Sequence, residues 1–258
     1  MVVYLNGDLV LLDQACIPIQ DRGLTLGDGV FETLYYDGQD LECLKPHYDR
    51  LLKGLALFQI PIDWVISEFK SIISYVLENN DLIGKTAAVR VTCTRGSSVR
   101  GVKPPLQPQP TILISAQPYR REAKLNRVGV SSFIHACPQV LSGVKHLGYQ
   151  LSVLGALEAR DRGLDDVLFF NAQGHLVCAT AANVFILRDG TMITPPLSDG
   201  ALPGVMRGKL IQEMQRSGIA VRIDHITHHD LESASRLFLS NSLIGLQEAI
   251  FERYRYPI

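Results

Sequence analysis

Lys145 is the residue of this chain whose type and setting could most readily do chemistry. It stands in Ser142-Gly-Val-Lys-His-Leu-Gly-Tyr149, between apolar Val144 and Leu147. A lysine among apolar neighbours loses hydration in its charged form, so its pKa falls and its amine becomes a nucleophile toward carbonyl compounds. Downstream, the run Cys178-Ala-Thr-Ala-Ala-Asn183 crowds small residues, as where backbone must come close to something flat or large. Arg50, Arg95 and Arg100 carry planar guanidinium groups, which donate paired hydrogen bonds to phosphate or carboxylate. Leu202-Pro-Gly-Val-Met-Arg207 leads into a helical run, and a helix N-terminus offers backbone N–H groups and the positive end of a dipole. His225, His228 and His229 lie close in sequence. They have no matched cysteines and no HExxH spacing, so they read as a solvated turn, and no metal site is expected.

Five segments in order carry a resemblance. They are Gly27-Asp-Gly-Val-Phe-Glu-Thr33, His47-Tyr-Asp-Arg-Leu51, Lys145-His-Leu147, Thr180-Ala-Ala-Asn-Val-Phe185 and Leu202-Pro-Gly-Val-Met-Arg207. With them the chain resembles the fold-type IV pyridoxal-phosphate enzymes over nearly its whole length. That group holds branched-chain aminotransferases, D-amino-acid aminotransferases and aminodeoxychorismate lyases. The resemblance implies that Lys145 binds pyridoxal 5'-phosphate covalently and serves as general base. It also implies that Arg50, the backbone amides of Val205 and Met206, and Ser240 with Asn241 hold the cofactor phosphate. Thr180 and Ala181 belong to the cofactor-binding run, and Phe31, Arg95 and Arg100 fall at substrate-contact positions. Relatives carry a glutamate for the cofactor ring nitrogen five residues before the asparagine of the Asn-Val-Phe run, and Cys178 stands there in this chain.

Arg95-Gly and Arg100-Gly, together with Ser240-Asn-Ser-Leu243, look most like aminodeoxychorismate lyase. That enzyme converts 4-amino-4-deoxychorismate to 4-aminobenzoate and pyruvate in folate biosynthesis. The alternative is an aminotransferase for D-amino acids or branched-chain amino acids. Phe31 and Val102, where D-amino-acid enzymes place a tyrosine and a histidine, speak against the first of these. A third possibility, motivated by Cys178, is a catalytically impaired member.

The elements that must position these residues follow from periodicity. Strands are expected at Val2–Leu5, 30–36, 87–94, 111–116, 127–133, 167–170 and 237–239, and the first turns back at Asn6-Gly7. Helices are expected over 47–58, 64–79, 150–160 and 207–216. The glycines of 23–29 read as a loop. The expected fold is α/β (α+β) in two domains: residues 1–117, a linker at 118–126, and a larger domain at 127–258 carrying Lys145, with the cofactor in the cleft between them.

The whole composition narrows the class. At 258 residues with 47% hydrophobic content the chain can bury real cores. A net charge of −1 gives no field to attract nucleic acid or an acidic membrane. Five dispersed cysteines without a CxxC pair point to reduced thiols in a cytoplasm. Neither a signal peptide nor a membrane-spanning run is expected. The expected partners are a small-molecule substrate and a second copy of the chain as a homodimer.

Overall fold

A computed structural model describes residues 1–136 and 138–253, so Cys137 and most of the 251–258 tail lie outside the described residues. The chain divides into two units. One comprises Met1–Arg120 with Val144–Gly148, the other Arg121–Gly143 with everything from Tyr149 onward. The units divide between Arg120 and Arg121, and the short segment that carries Lys145 groups with the first unit.

The first unit is an antiparallel sheet of five strands: β1 (Val2–Leu5), β2 (Asp8–Leu11), β3 (Gly29–Tyr36), β4 (Ala87–Thr94) and β5 (Thr111–Pro118), in the order β2-β1-β5-β4-β3. Asn6 and Gly7 close the first hairpin with φ of 52° and 112°, the left-handed geometry such a turn needs. A short helix α1 (Arg22–Leu26) occupies the stretch expected to be a loop. Asp21 caps its start, accepting from Gly23 N, and Gly27 ends it at φ 66°. Helices α2 (Leu44–Phe58) and α3 (Ile66–Glu78) cover one sheet face. α2 begins three residues earlier than expected, with Pro46 in its first turn, where a missing N–H costs nothing. Leu51, Leu55, Phe69, Ile73, Val76 and Leu77 bury their apolar stripe against Leu34, Val89, Val91 and Ile114.

The second unit is a mixed sheet of eight strands: β6 (Asn126–Ile134), β7 (Asp166–Phe170), β8 (Leu176–Ala179), β9 (Asn183–Arg188), β10 (Thr191–Thr194), β11 (Val221–Ile223), β12 (Arg236–Asn241) and β13 (Gly245–Phe251), ordered β11-β10-β9-β12-β13-β6-β7-β8. The pairs β10–β11, β13–β6 and β6–β7 are parallel. The helices are α4 (Gln139–Ser142), α5 (Gln150–Asp161), α6 (Val205–Arg216) and α7 (His228–Ser233), with a 3-10 turn at Leu197–Asp199. α5 packs on β6 and β7, and α6 on β12 and β11. Val184, Ile186, Leu168, Leu176, Leu237 and Leu239 form the main core of this unit. Arg121, in the expected linker, donates to the carbonyls of Ser242 and Leu243 and is no free tether. No helix among the described residues is long and apolar enough to cross a membrane.

Candidate active site

The Lys145 segment is positioned by the edge of a sheet. β3 pairs with β4 on one side only, and Val144–Gly148 lies along the other. Phe31 N donates to Lys145 O at 2.9 Å, and Leu147 N donates to Gly29 O at 3.0 Å. Gly29 is required there, because a side chain would run into the carbonyl of Cys93 and into Leu147. The docked strap covers a row of backbone groups that an edge strand otherwise leaves unpaired.

Alternation along β3 sorts the neighbouring side chains. Phe31 faces Lys145, whose Nζ lies 4.3 Å from the ring centroid, and the Arg90 guanidinium carbon lies 4.0 Å from the same centroid. Arg90 is exposed and comes from β4, paired opposite Thr33 on the same face. The next residue, Glu32, points the other way, under α2, and is wholly buried. His47 and Arg50 are three apart on α2 and so share a helix face. Arg50 Nε and Nη2 donate to the two oxygens of Glu32 at 2.7 and 2.8 Å, and His47 Nδ1 lies 2.7 Å from Glu32 Oε2.

These charges set the protonation states. Burial alone would raise the Glu32 pKa, but the hydrogen bonds from Arg50 and His47 prevail and hold it at about 2. Desolvation, helped by the positive charges of Arg50 and Arg90 and opposed by Glu32, pushes Lys145 down to about 8. At pH 7 about a tenth of this amine is therefore uncharged, far more than for an ordinary lysine, and able to accept a proton or attack a carbonyl carbon.

Arg95 does not join this group. It is 7% exposed and gives four of its five N–H bonds to Asp28, Phe58 O and Gln59 O. These bonds hold the turn after α2 against Asp28. Arg22 binds the same Asp28 and fans out to Ser98 and the carbonyls of Gly101, Val102 and Lys103. The loop carrying Arg100 is thus anchored on both sides of that residue, and Arg100 itself is exposed. Asp28 is held below the usual carboxylate range: its burial works upward, but the hydrogen bonds from Arg95 and Arg22 outweigh it.

The second unit gathers its own candidates. Thr180 and Ala181 form the turn between β8 and β9, closed by Ala179 N donating to Ala182 O. Thr180 N donates to Asp166 at 3.1 Å; burial pushes this carboxyl up against the hydrogen bonds from Thr180 and Val167. Asn241 donates to Ala181 O and accepts from Leu243 N and Ile244 N, so it braces two turns. Ser240 is paired across from Asn183, and its buried hydroxyl finds no hydrogen-bond partner among the described residues. Asn183 in turn donates to Leu202 O at 2.9 Å, and any side chain at Gly204 would overlap its Oδ1. This seats Val205 and Met206 in the first turn of α6. Cys178 is half-buried and packs beside Val167 and Phe169, opposite Phe169 in the strand pair, in an apolar cluster.

Sequence reasoning missed Arg90, Glu32 and Asp166. Arg90 reads as an ordinary polar position in an alternating strand. The two acids are revealed only by what packs on them, although Glu32 stands inside a noted motif. The histidines His225, His228 and His229 are exposed, as a solvated segment requires, but two of them also make contacts: His228 stacks on Phe170 at 3.8 Å, and His225 meets Asp199 and His175.

Comparison with known proteins places these features in context. The pattern of the amino-transferase class IV family matches residues 29–249. A Methanocaldococcus jannaschii protein provisionally named a branched-chain-amino-acid aminotransferase is 32% identical over 246 residues, spanning 94% of this chain and 84% of that one. The aminodeoxychorismate lyase of Vibrio harveyi is 28% identical, spanning 94% of this chain and 88% of the other. The crystal structure of Escherichia coli branched-chain amino acid aminotransferase superposes with a TM-score of 0.91 at 25% identity, covering 97% and 86%.

Proposed function

The chain belongs to the amino-transferase class IV family, and on that premise we propose that it binds pyridoxal 5'-phosphate and acts as a 4-amino-4-deoxychorismate lyase, forming 4-aminobenzoate and pyruvate. The residues suit the cofactor. Lys145 offers an amine with pKa about 8, and Arg50 offers a guanidinium oriented by Glu32. α6 starts at Gly204, where a side chain would collide with that of Asn183, and Ser240 holds a buried hydroxyl in want of a partner, a deficit a bound ligand relieves. When bound, pyridoxal phosphate supplies an electron sink for the carbon that bears the substrate amine.

Lys145 Nζ accepts the proton from the substrate ring carbon. As that C–H bond breaks and the ring becomes aromatic, the bond between the neighbouring ring carbon and the ether oxygen breaks, and the oxygen leaves with the three-carbon side chain as the enolate of pyruvate, which takes up a proton at its methylene carbon. Arg90, against the Phe31 ring beside Lys145, holds one substrate carboxylate, and Arg100 on its anchored loop meets the other.

The observation that carries the lyase reading is the seat of Cys178. Where relatives carry a glutamate, this chain packs a thiol among Ala159, Val167 and Phe169. A neutral thiol is a weak partner for a ring nitrogen and so weakens the electron sink. An aromatising elimination tolerates that better than amino transfer, because the new aromatic ring supplies driving force. Transfer of an amino group from branched-chain amino acids is the second reading, favoured by the similarity to the M. jannaschii protein. The homodimer that the resemblance implies finds support in the apolar residues Val99, Val102 and Leu106, 80–97% exposed around the Arg100 loop.

The test incubates the protein with pyridoxal phosphate and enzymatically generated aminodeoxychorismate beside Lys145→Ala. Equal amounts of 4-aminobenzoate and pyruvate, absent from the variant, are expected. No product, together with turnover of branched-chain amino acids and a keto acid, would replace the lyase by the aminotransferase.

A further inference from the structure

Away from the lysine, three side chains of the second unit converge. Asp199, 6% exposed, ends the 3-10 turn that precedes α6. Its Oδ1 lies 3.4 Å from His175 Nδ1, and its Oδ2 lies 2.9 Å from His225 Nδ1. The two imidazole rings face each other with centroids 4.2 Å apart. One ligand atom from each of the three residues falls within 4.8 Å of the others. A third imidazole is close by. The buried Nδ1 of His135, which has no hydrogen-bond partner among the described residues, stands where a side chain on Gly200, next to Asp199, would meet it.

The convergence is held by backbone. Leu176 N donates to Ile226 O at 2.7 Å, joining the residues that follow His175 and His225. The Asn171 side chain accepts from His175 N and donates to Asp199 O, tying the second pair. Asp224 N donates to Thr194 O, which fixes the approach of His225. The histidines are therefore placed by the fold, and their rings are partly accessible, with side chains 27% and 50% exposed.

We propose that His175, Asp199 and His225 form a binding site for a divalent transition-metal cation of the zinc class. Two imidazoles and a carboxylate are borderline donors, which select Zn²⁺, Co²⁺ or Ni²⁺ over Ca²⁺ and Mg²⁺, cations that favour oxygen donors. Metal–ligand bonds of about 2.0–2.2 Å place tetrahedral donor atoms roughly 3.3 Å apart. The present separations from the Asp199 oxygens, 3.4 and 2.9 Å, lie close to that value. Three protein ligands leave a fourth position to water. The ion would clip together the β7–β8 turn, the turn before α6 and the β11–α7 connection. Its role is to fasten loops, and it stands independently of the reaction proposed above.

The test uses the purified full chain, freed of metal with a chelator and dialysed. Co²⁺ is titrated by visible absorption and Zn²⁺ by calorimetry, on the parent protein and on His175→Ala, His225→Ala, Asp199→Asn and the control His229→Ala. The expected result is one equivalent per chain with the intense bands of tetrahedral Co²⁺. Each ligand variant should lose at least the roughly 10- to 100-fold in affinity that even an outer-shell partner is worth, and the control should match the parent. Zn²⁺ should raise the melting temperature of the parent and not that of the histidine variants. Absence of saturable binding overturns the proposal. So does binding that survives both histidine replacements, which would locate the metal elsewhere, such as at the exposed thiol of Cys16. Should Asp199→Asn fail to fold, the two histidine variants decide the matter.

Discussion

Replacing Arg90 by glutamine removes one positive charge near Lys145 while keeping most of the side chain's bulk. The two distances to the Phe31 centroid cap the separation of guanidinium carbon and amine at about 8.3 Å. At that separation two unit charges repel by about 2 kcal/mol at an effective dielectric of 20, and by about 0.5 kcal/mol at that of water. Arg90 is exposed, so at this largest separation the value lies between the two figures. Divided by 1.36 kcal/mol per unit, this predicts that the Lys145 pKa rises from about 8 by about 0.4 to 1.5 units. The assay is the pH dependence of acetic anhydride labelling of Lys145 in cofactor-free protein, read by peptide mass spectrometry against a reference amine. Glu32→Gln supplies the opposite sign, because the glutamate holds the lysine pKa up. A Lys145 pKa that does not move in Arg90→Gln, or that falls, would refute the electrostatic account of this amine.

Three further outcomes follow from the same geometry. Lys145 has a folded pKa below its unfolded value of 10.5, so folding costs up to about 3 kcal/mol below pH 8, a cost relieved as the pH rises toward 10.5. Lys145→Met should therefore stabilise the cofactor-free protein at pH 7 in urea melts, and the gain should vanish above pH 10.5. Glu32 has the opposite balance: its folded pKa of about 2 contributes about 3 kcal/mol above pH 4.5, lost as the pH falls through 2. Glu32→Gln should cost about 3–5 kcal/mol at pH 7, since it strands the Arg50 charge in the interior, and it should flatten the acid limb of the stability profile. Gly204→Ala must displace Asn183 and break its bond to Leu202 O; about 1–3 kcal/mol is the expected loss, measured by thermal melting with far-ultraviolet dichroism.

Much of the scaffold can be read along the chain because its signals are local. Asn6-Gly7 announces its hairpin through the φ values it tolerates, and the stripes Leu51–Leu55 and Phe69–Val76 announce two helices through their spacing. Lys145 stands out by the apolar residues beside it. What sequence could not supply is partnership across distance. Arg95 and Arg100 look alike in a string of letters, yet the fold buries the first against Asp28 and leaves the second in solvent. Glu32 reads as part of a strand until α2 brings His47 and Arg50 onto it. His175, Asp199 and His225 are 24 and 26 residues apart, spacings with no local signature, and three turns unite them. The Gly23–Gly29 stretch misled in a different way. Its glycines indicate a loop, while Asp21 and Gly27 cap a single helical turn within it.

The docking of Val144–Gly148 on β3 has a consequence for synthesis of the chain on the ribosome. β3 is complete at Tyr36, but the residues that cover its edge arrive more than a hundred positions later. At about 5–20 residues per second, the nascent edge waits roughly 6 to 20 s for its cover. During that interval its unpaired amides and carbonyls can recruit a strand from a neighbouring nascent chain on the same polysome. The segment that equips the enzyme with its amine is thus also a late-arriving guard, and a truncation that stops the chain at Arg120 should yield a fragment prone to self-association through β3.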